Sequence, residues 1–154
     1  MIQRIQTIYL LAALILIALC FIIPVAVISS PEGQLFIFDI NGFRLLAQNS
    51  NEYVNRPMAI FISGLLICFI YLLIIFSYKN RPLQMRLCIY TLVFSLGLGF
   101  MFYWVLHLVQ KDQGAEIIYK VGIVFPVISA ILSFLAYRAI KKDDELVKSY
   151  DRLR

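Results

Sequence analysis

Charge is missing from most of this chain. Ile5–Pro31, Pro57–Tyr78, Leu87–Gln110 and Val121–Tyr137 contain no Asp, Glu, Lys or Arg. Charged residues make up 15% of the sequence and hydrophobic residues 62%, whereas soluble domains run at about 25% and 45–50%. A bilayer core is about 30 Å thick and takes about 20 apolar residues to cross as a helix. Three runs exceed that length. The fourth has 17 residues and reaches it when Ile117–Lys120 is included. These absences exclude an ordinary soluble domain and predict spans at about 5–28, 57–78, 87–107 and 118–137. One domain accounts for residues 1–154, because the remaining loops and tail are too short for a second.

Other absences narrow the chemistry. An ionisable group inside a span marks a functional site by default, and the four uncharged runs hold no acidic or basic side chain apart from His107 near one end. That argues against ion-coupled transport. His107 is the only histidine, so a metal centre, which needs several ligands, is not expected. Cys20, Cys68 and Cys88 form no CxxC pair, and neither expected outer loop has a cysteine for a disulfide. No P-loop, GxGxxG or HExxH motif occurs, and no nucleophile stands beside a base. No catalytic residue, cofactor or metal is expected. Were there an enzyme or transporter, its polar cavity would draw on Tyr71, Ser63, Ser95 and Ser133. The first apolar run far exceeds the 7–15 residues of a signal-peptide core, and Leu19 before Cys20 makes a poor lipoprotein cleavage site, so it reads as a retained span.

The charges that remain are one-sided. With the N-terminus inside, the inner segments hold Arg4, Lys79, Arg81, Arg86, Arg138, Lys141, Lys142, Lys148, Arg152 and Arg154. The outer ones hold Arg44, Arg56, Lys111 and Lys120. Ten against four follows the positive-inside rule. The net charge of +5 is thus a topology signal, and nucleic acid is not an expected partner.

Between the spans, Leu35–Leu46 places Asn41-Gly42 between β-prone runs. That is a strong hairpin signal, because a type I′ turn needs positive φ at both positions. A lone hairpin is marginal in water, so its aromatic residues need a surface. Ser95 and Gly99 on span three, and Ser129 and Ser133 on span four, form small-xxx-small faces for close helix packing. Pro126 is expected to kink span four or to be absorbed by its neighbours. The tail, 138–154, is helix-prone and continues span four. The fold expected is an all-α membrane protein: a four-transmembrane-helix bundle with an extracytoplasmic β-hairpin in its first loop and a cytoplasmic C-terminal helical extension.

The two ends, Met1-Ile2-Gln3-Arg4-Ile5-Gln6-Thr7-Ile8-Tyr9-Leu10 and Arg138-Ala139-Ile140-Lys141-Lys142-Asp143 through Asp151-Arg152-Leu153-Arg154, resemble a family of four-span inner-membrane proteins of Bacteroidota described as a domain of unknown function. The resemblance implies a bacterial inner-membrane location and no activity. The residues themselves favour a non-enzymatic protein that works by association, as an accessory or stabilising subunit of a larger complex. Gln3, Arg4 and Gln6 with Asp151, Arg152 and Arg154 are its expected inner contacts. Phe36, Phe38 and Phe43 are its expected outer contacts. Membrane lipids and a membrane-protein partner or a second copy are the expected partners. The alternative is a protein that binds a lipid or small apolar ligand between helices under the hairpin.

Overall fold

Pro24 divides the first apolar run into a helix and a strand. Proline has no N–H to donate and pushes the residue before it toward extended backbone. Ile22, Ile23, Val25, Val27 and Ile28 around it are β-branched and suit a pleated surface. In the computed structural model, which describes residues 3–31, 33–46, 53–77 and 80–152, α1 (Gln3–Leu19) therefore ends early and β1 (Ala26–Ser29) follows.

β1 lies inside a five-stranded antiparallel sheet with β2 (Leu35–Asp39), β3 (Gly42–Leu45), β4 (Tyr53–Asn55) and β5 (Glu116–Tyr119), in the order β4-β3-β2-β1-β5. β2 and β3 pair across a two-residue turn at Ile40-Asn41, with Asp39 opposite Gly42; of these residues only Gly42 takes a positive φ, so the hairpin forms without the expected type I′ turn at Asn41-Gly42. β1 pairs with β2 on one side (Ala26 opposite Phe38) and with β5 on the other (Ala26 opposite Tyr119). Val25 joins both neighbours: its N–H donates to the Phe38 carbonyl (2.8 Å) and its carbonyl accepts from the Lys120 N–H (2.9 Å).

The remaining helices are α2 (Met58–Phe76), α3 (Arg81–Gln113) and α4 (Phe125–Arg152), the last entered through a 3-10 turn at Val121–Val124. α3 ends at Gly114, whose left-handed φ of 60° suits a residue without Cβ, and the Gly114 N–H returns to the Gln110 carbonyl at 3.1 Å. α4 packs against α1 and α3, and α2 against α1 and α3.

This corrects the expected all-α, four-span fold. Among the described residues, three helices are long and apolar enough to cross a membrane: Met58–Phe76, Arg81–Asp112 and Val121–Leu146. The apolar helix of the first run, Ile5–Leu19, is shorter. Residues 26–29 are strand because β2 and β5 satisfy their backbone. Glu116–Tyr119 forms β5 and does not extend the fourth helix. The expected hairpin occurs only as the middle of a larger sheet. Pro126 is the second residue of α4, where a missing N–H costs no helical bond, so it starts the helix and does not kink it. Tyr78, the expected end of span two, lies outside the described residues.

The sheet packs on the end of α3 furthest from Arg81. Phe38 is fully buried, stacks on Phe43 (centroids 4.6 Å apart) and meets Phe102 of α3 edge-on at 6.0 Å. The β2–β3 turn reaches α2, where Ile40 fills the space beside Gly64. Gly122 lies against the backbone after α1, and a Cβ there would stand 2.6 Å from the Pro24 carbonyl oxygen.

These contacts rank three substitutions. Gly122→Ala meets rigid backbone and should cost about 1–3 kcal/mol, the usual range for overpacking. Gly64→Ala presses on the flexible end of Ile40 and should cost less. Gly97→Ala enters open space and should be neutral or stabilise by about 0.5–1 kcal/mol, as glycine-to-alanine changes do in helices. Thermal unfolding of the three variants in detergent measures the order.

Candidate functional site

Buried polar groups collect in three places. At the end of the helices away from the sheet, Gln6 of α1 reaches α4. Its side-chain amide donates to the Asp143 carboxylate (2.5 Å) and to the Ala139 carbonyl (3.2 Å). Arg81, the first residue of α3, donates to the Asp143 carbonyl at 3.1 Å. Gln84 donates to the Ile74 carbonyl at 3.2 Å, one of the last four carbonyls of α2, which have no partner within their own helix. Gln6, Gln84 and Asp143 are buried. With Thr7 and Arg81 they surround a cavity of about 30 Å³, close to the volume of one water. The four helices are thereby tied together at one end.

The second collection lies at the middle of the helices. The Tyr71 hydroxyl is 2.7 Å from Ser129 Oγ and 2.6 Å from Ser133 Oγ. Ser133 Oγ also donates to the Ser129 carbonyl at 3.0 Å, and Thr91 Oγ1 lies 3.5 Å from Ser133 Oγ while donating to the Cys88 carbonyl at 3.0 Å. These hydroxyls bond one another and main-chain carbonyls. Among the described residues no carboxylate or imidazole joins them, so no group is placed to take a proton from a nucleophile. The cluster joins α2, α3 and α4.

The third is the β2–β3 turn. Asp39 Oδ1 accepts from the N–H groups of Asn41 (2.7 Å) and Gly42 (3.1 Å), and its Oδ2 pairs with Arg44 at 2.7 Å. Asn41 donates to the Phe21 carbonyl at 3.0 Å, just past the end of α1.

The expected site residues fall among these features as follows. Ser129 and Ser133 are buried in the hydroxyl cluster. Ser95 is buried on the α3 side, and its Oγ has no hydrogen-bond partner among the described residues. A Cβ on Gly99 would lie 3.7 Å from Pro126, an ordinary packing distance, so α3 and α4 approach closely there. Ser63 donates to the Ile60 carbonyl of its own helix at 2.8 Å, away from Tyr71. Gln6 faces inward to Asp143. Phe38 is internal, and Phe36 and Phe43 are half-buried beside it. Gln3 and Arg4 lie in α1, and Asp151 and Arg152 in α4, with side chains outside the described set; Arg154 lies outside the described residues. His107 is exposed and stacks on Tyr103, centroids 6.1 Å apart.

Sequence reasoning missed Asp143, Arg81, Gln84 and Thr91. A signal for Asp143 existed. Ser129, Ser133, Ala136, Ile140 and Asp143 follow one helical face at steps of three and four, and all five are buried. Continuing the small-residue stripe past the apolar run leads to Asp143.

Gln6→Leu leaves a buried carboxylate without its amide partner and should cost about 1–3 kcal/mol. Gln6→Leu with Asp143→Leu removes both partners and should recover most of that loss. Tyr71→Phe should cost about 0.6–1.7 kcal/mol, the range for hydrogen bonds between membrane helices, and its effect should be less than additive with Ser133→Ala. Unfolding free energies of the single and double variants check both clusters.

No curated protein matches the chain. One family model does, over residues 2–153. The chain therefore belongs to the family described as a domain of unknown function, DUF4293.

Proposed function

We propose that the protein is a non-enzymatic integral membrane protein of the bacterial inner membrane, with both termini cytoplasmic, and that it works by association, as an accessory or stabilising subunit of a larger assembly. Three helices of spanning length support the membrane placement, and ten basic residues against four support the orientation.

The observation that carries the association reading is the base of α4. The helix runs on to Arg152 without a break. It is held at Ala139 and Asp143 by side chains from α1 and α3. Around and just past the clasp it presents exposed Lys141, Lys142 and Glu145. An arm fixed at its base loses little freedom on meeting a partner, and that favours binding. The second reading, a lipid- or apolar-ligand-binding protein, is favoured by a crevice of about 190 Å³ lined by Asn41 of the β2–β3 turn with Arg56, Met58 and Phe61.

Gentle purification from native membranes, followed by mass spectrometry, tests the association reading. A partner at fixed stoichiometry should accompany the full chain. It should be lost on Asp151→Ala with Arg152→Ala, or on deletion of 145–154, while the unfolding temperature stays within a few degrees. Recovery of the protein without any stoichiometric partner, or a partner indifferent to both changes, overturns it.

A further inference from the structure

β5 is a sheet edge without the usual protection. Among the described residues the sheet ends at β4 on one side and at β5 on the other. β4 is short, and the ladder beside it shifts register between Phe43 and Arg44. Shortness and irregularity are common ways of blunting an edge. β5 pairs with β1 in unbroken register from Glu116 to Tyr119, with no bulge or proline to turn it away. The Lys120 N–H points to β1, where it donates to the Val25 carbonyl at 2.9 Å. Main-chain groups alternate sides along an antiparallel strand. Glu116 and Ile118 therefore also face β1, and the N–H and C=O groups of Ile117 and Tyr119 face outward. Ile118 and Tyr119 are 56% and 49% exposed, and Glu116 and Lys120 are exposed at the two ends.

The direction of the strand limits what can add to it. β5 follows the end of α3 at Gly114, and α4 begins where Pro126 packs at Gly99. Gly99 lies about 22 Å back along α3 from Gly114, at 1.5 Å per residue. The chain between them covers that distance, so β5 runs back along α3 and its axis follows the helix axes. Two copies of one strand pair antiparallel about a two-fold axis normal to their sheet. Here that axis lies in the membrane plane, and the second copy would be inverted across the bilayer. Lipid covers apolar side chains but leaves main-chain N–H groups unpaired.

We propose that the outward edge of β5 receives an antiparallel strand from the extracytoplasmic part of a different protein. Ile117 and Tyr119 exchange main-chain hydrogen bonds with it. A basic residue lies across from Glu116, an apolar one across from Ile118 and an acidic one across from Lys120. Opposite charges across a strand pair are favourable and like charges are not, so the two end charges fix direction and register. The inference rests on the association reading and supplies its outer contact. The residues first expected there, Phe36, Phe38 and Phe43, are buried or half-buried.

The test is photo-crosslinking in cells that make the full chain, with benzoylphenylalanine placed in turn at Glu116, Ile118 and Lys120, which share one face of the strand. One protein should be captured from all three positions. The captured residues should step by two in reverse chain order, as an antiparallel strand requires. Tyr119→Pro removes an outward N–H and leaves the ladder to β1 whole. It should lower the yield from Ile118 about tenfold, the value of one lost hydrogen bond, with the unfolding temperature within a few degrees. Glu116→Lys keeps the backbone and should lower that yield about threefold. Lys111→Gln, an exposed charge off the strand, should leave it within about twofold. No adduct, an adduct with a second copy, captured residues without the two-residue step, or a yield unchanged in both Tyr119→Pro and Glu116→Lys overturns the proposal. A partner that survives purification while β5 gives no such adduct removes this inference and leaves the association reading standing; no partner by either route removes both.

Discussion

The pairing of β1 with β5 is the contact on which the rest of the arrangement depends. It brings the exit of α1 beside the entrance of α4, with Lys120 bonded to Val25 and Gly122 against Pro24. Without β5, β1 has an open edge, and an uncharged strand with an open edge has nowhere stable to lie in either lipid or water. With β5, the short first helix is completed by sheet, and the sheet rests on the extra length of α3. The unequal helices are therefore complementary. α1 leaves space at the sheet end, and α3, at 33 residues and about 50 Å, is long enough to wall it.

The second and third apolar runs were legible because they are long, uninterrupted and bounded by charge. The fourth was legible from Val121 onward, and the first misled for a physical reason. An uncharged run records exclusion from water, and a strand buried between two others is excluded as fully as a helix in lipid. The clues that distinguish the two were local: β-branched residues on either side of Pro24, and the β-prone Ile117-Ile118-Tyr119 ahead of Gly122 and Pro126. Hydrophobic length outweighed them. The hairpin was legible because Asn-Gly marks a chain reversal locally, although the turn falls on Ile40-Asn41 and of these residues only Gly42 takes a positive φ. Its place within a five-stranded sheet was not, because β5 lies far away in sequence.

The polar interior divides in the same way. Ser129, Ser133 and the close approach at Gly99 follow from spacing on single helices. The clasp does not, since Gln6 and Asp143 are 137 residues apart and each sits near the end of an apolar run, where a polar residue looks like part of the surface. Burial turns these groups into connections. A polar pair shielded from water cannot exchange partners cheaply, so it selects one arrangement of helices from several that apolar packing alone tolerates.

The long separations have a consequence for synthesis. Ala26 leaves the ribosome well before Tyr119, its partner on β5, and at 5–20 residues per second the delay is about 5–20 s. During that time β1 has only β2 as a neighbour, and the base of α1 waits still longer for Asp143. Both locks close only when the last helix has been made. A chain interrupted before α4 carries an open strand edge and an unclasped first helix, features by which a membrane protease can distinguish an unfinished molecule from a finished one.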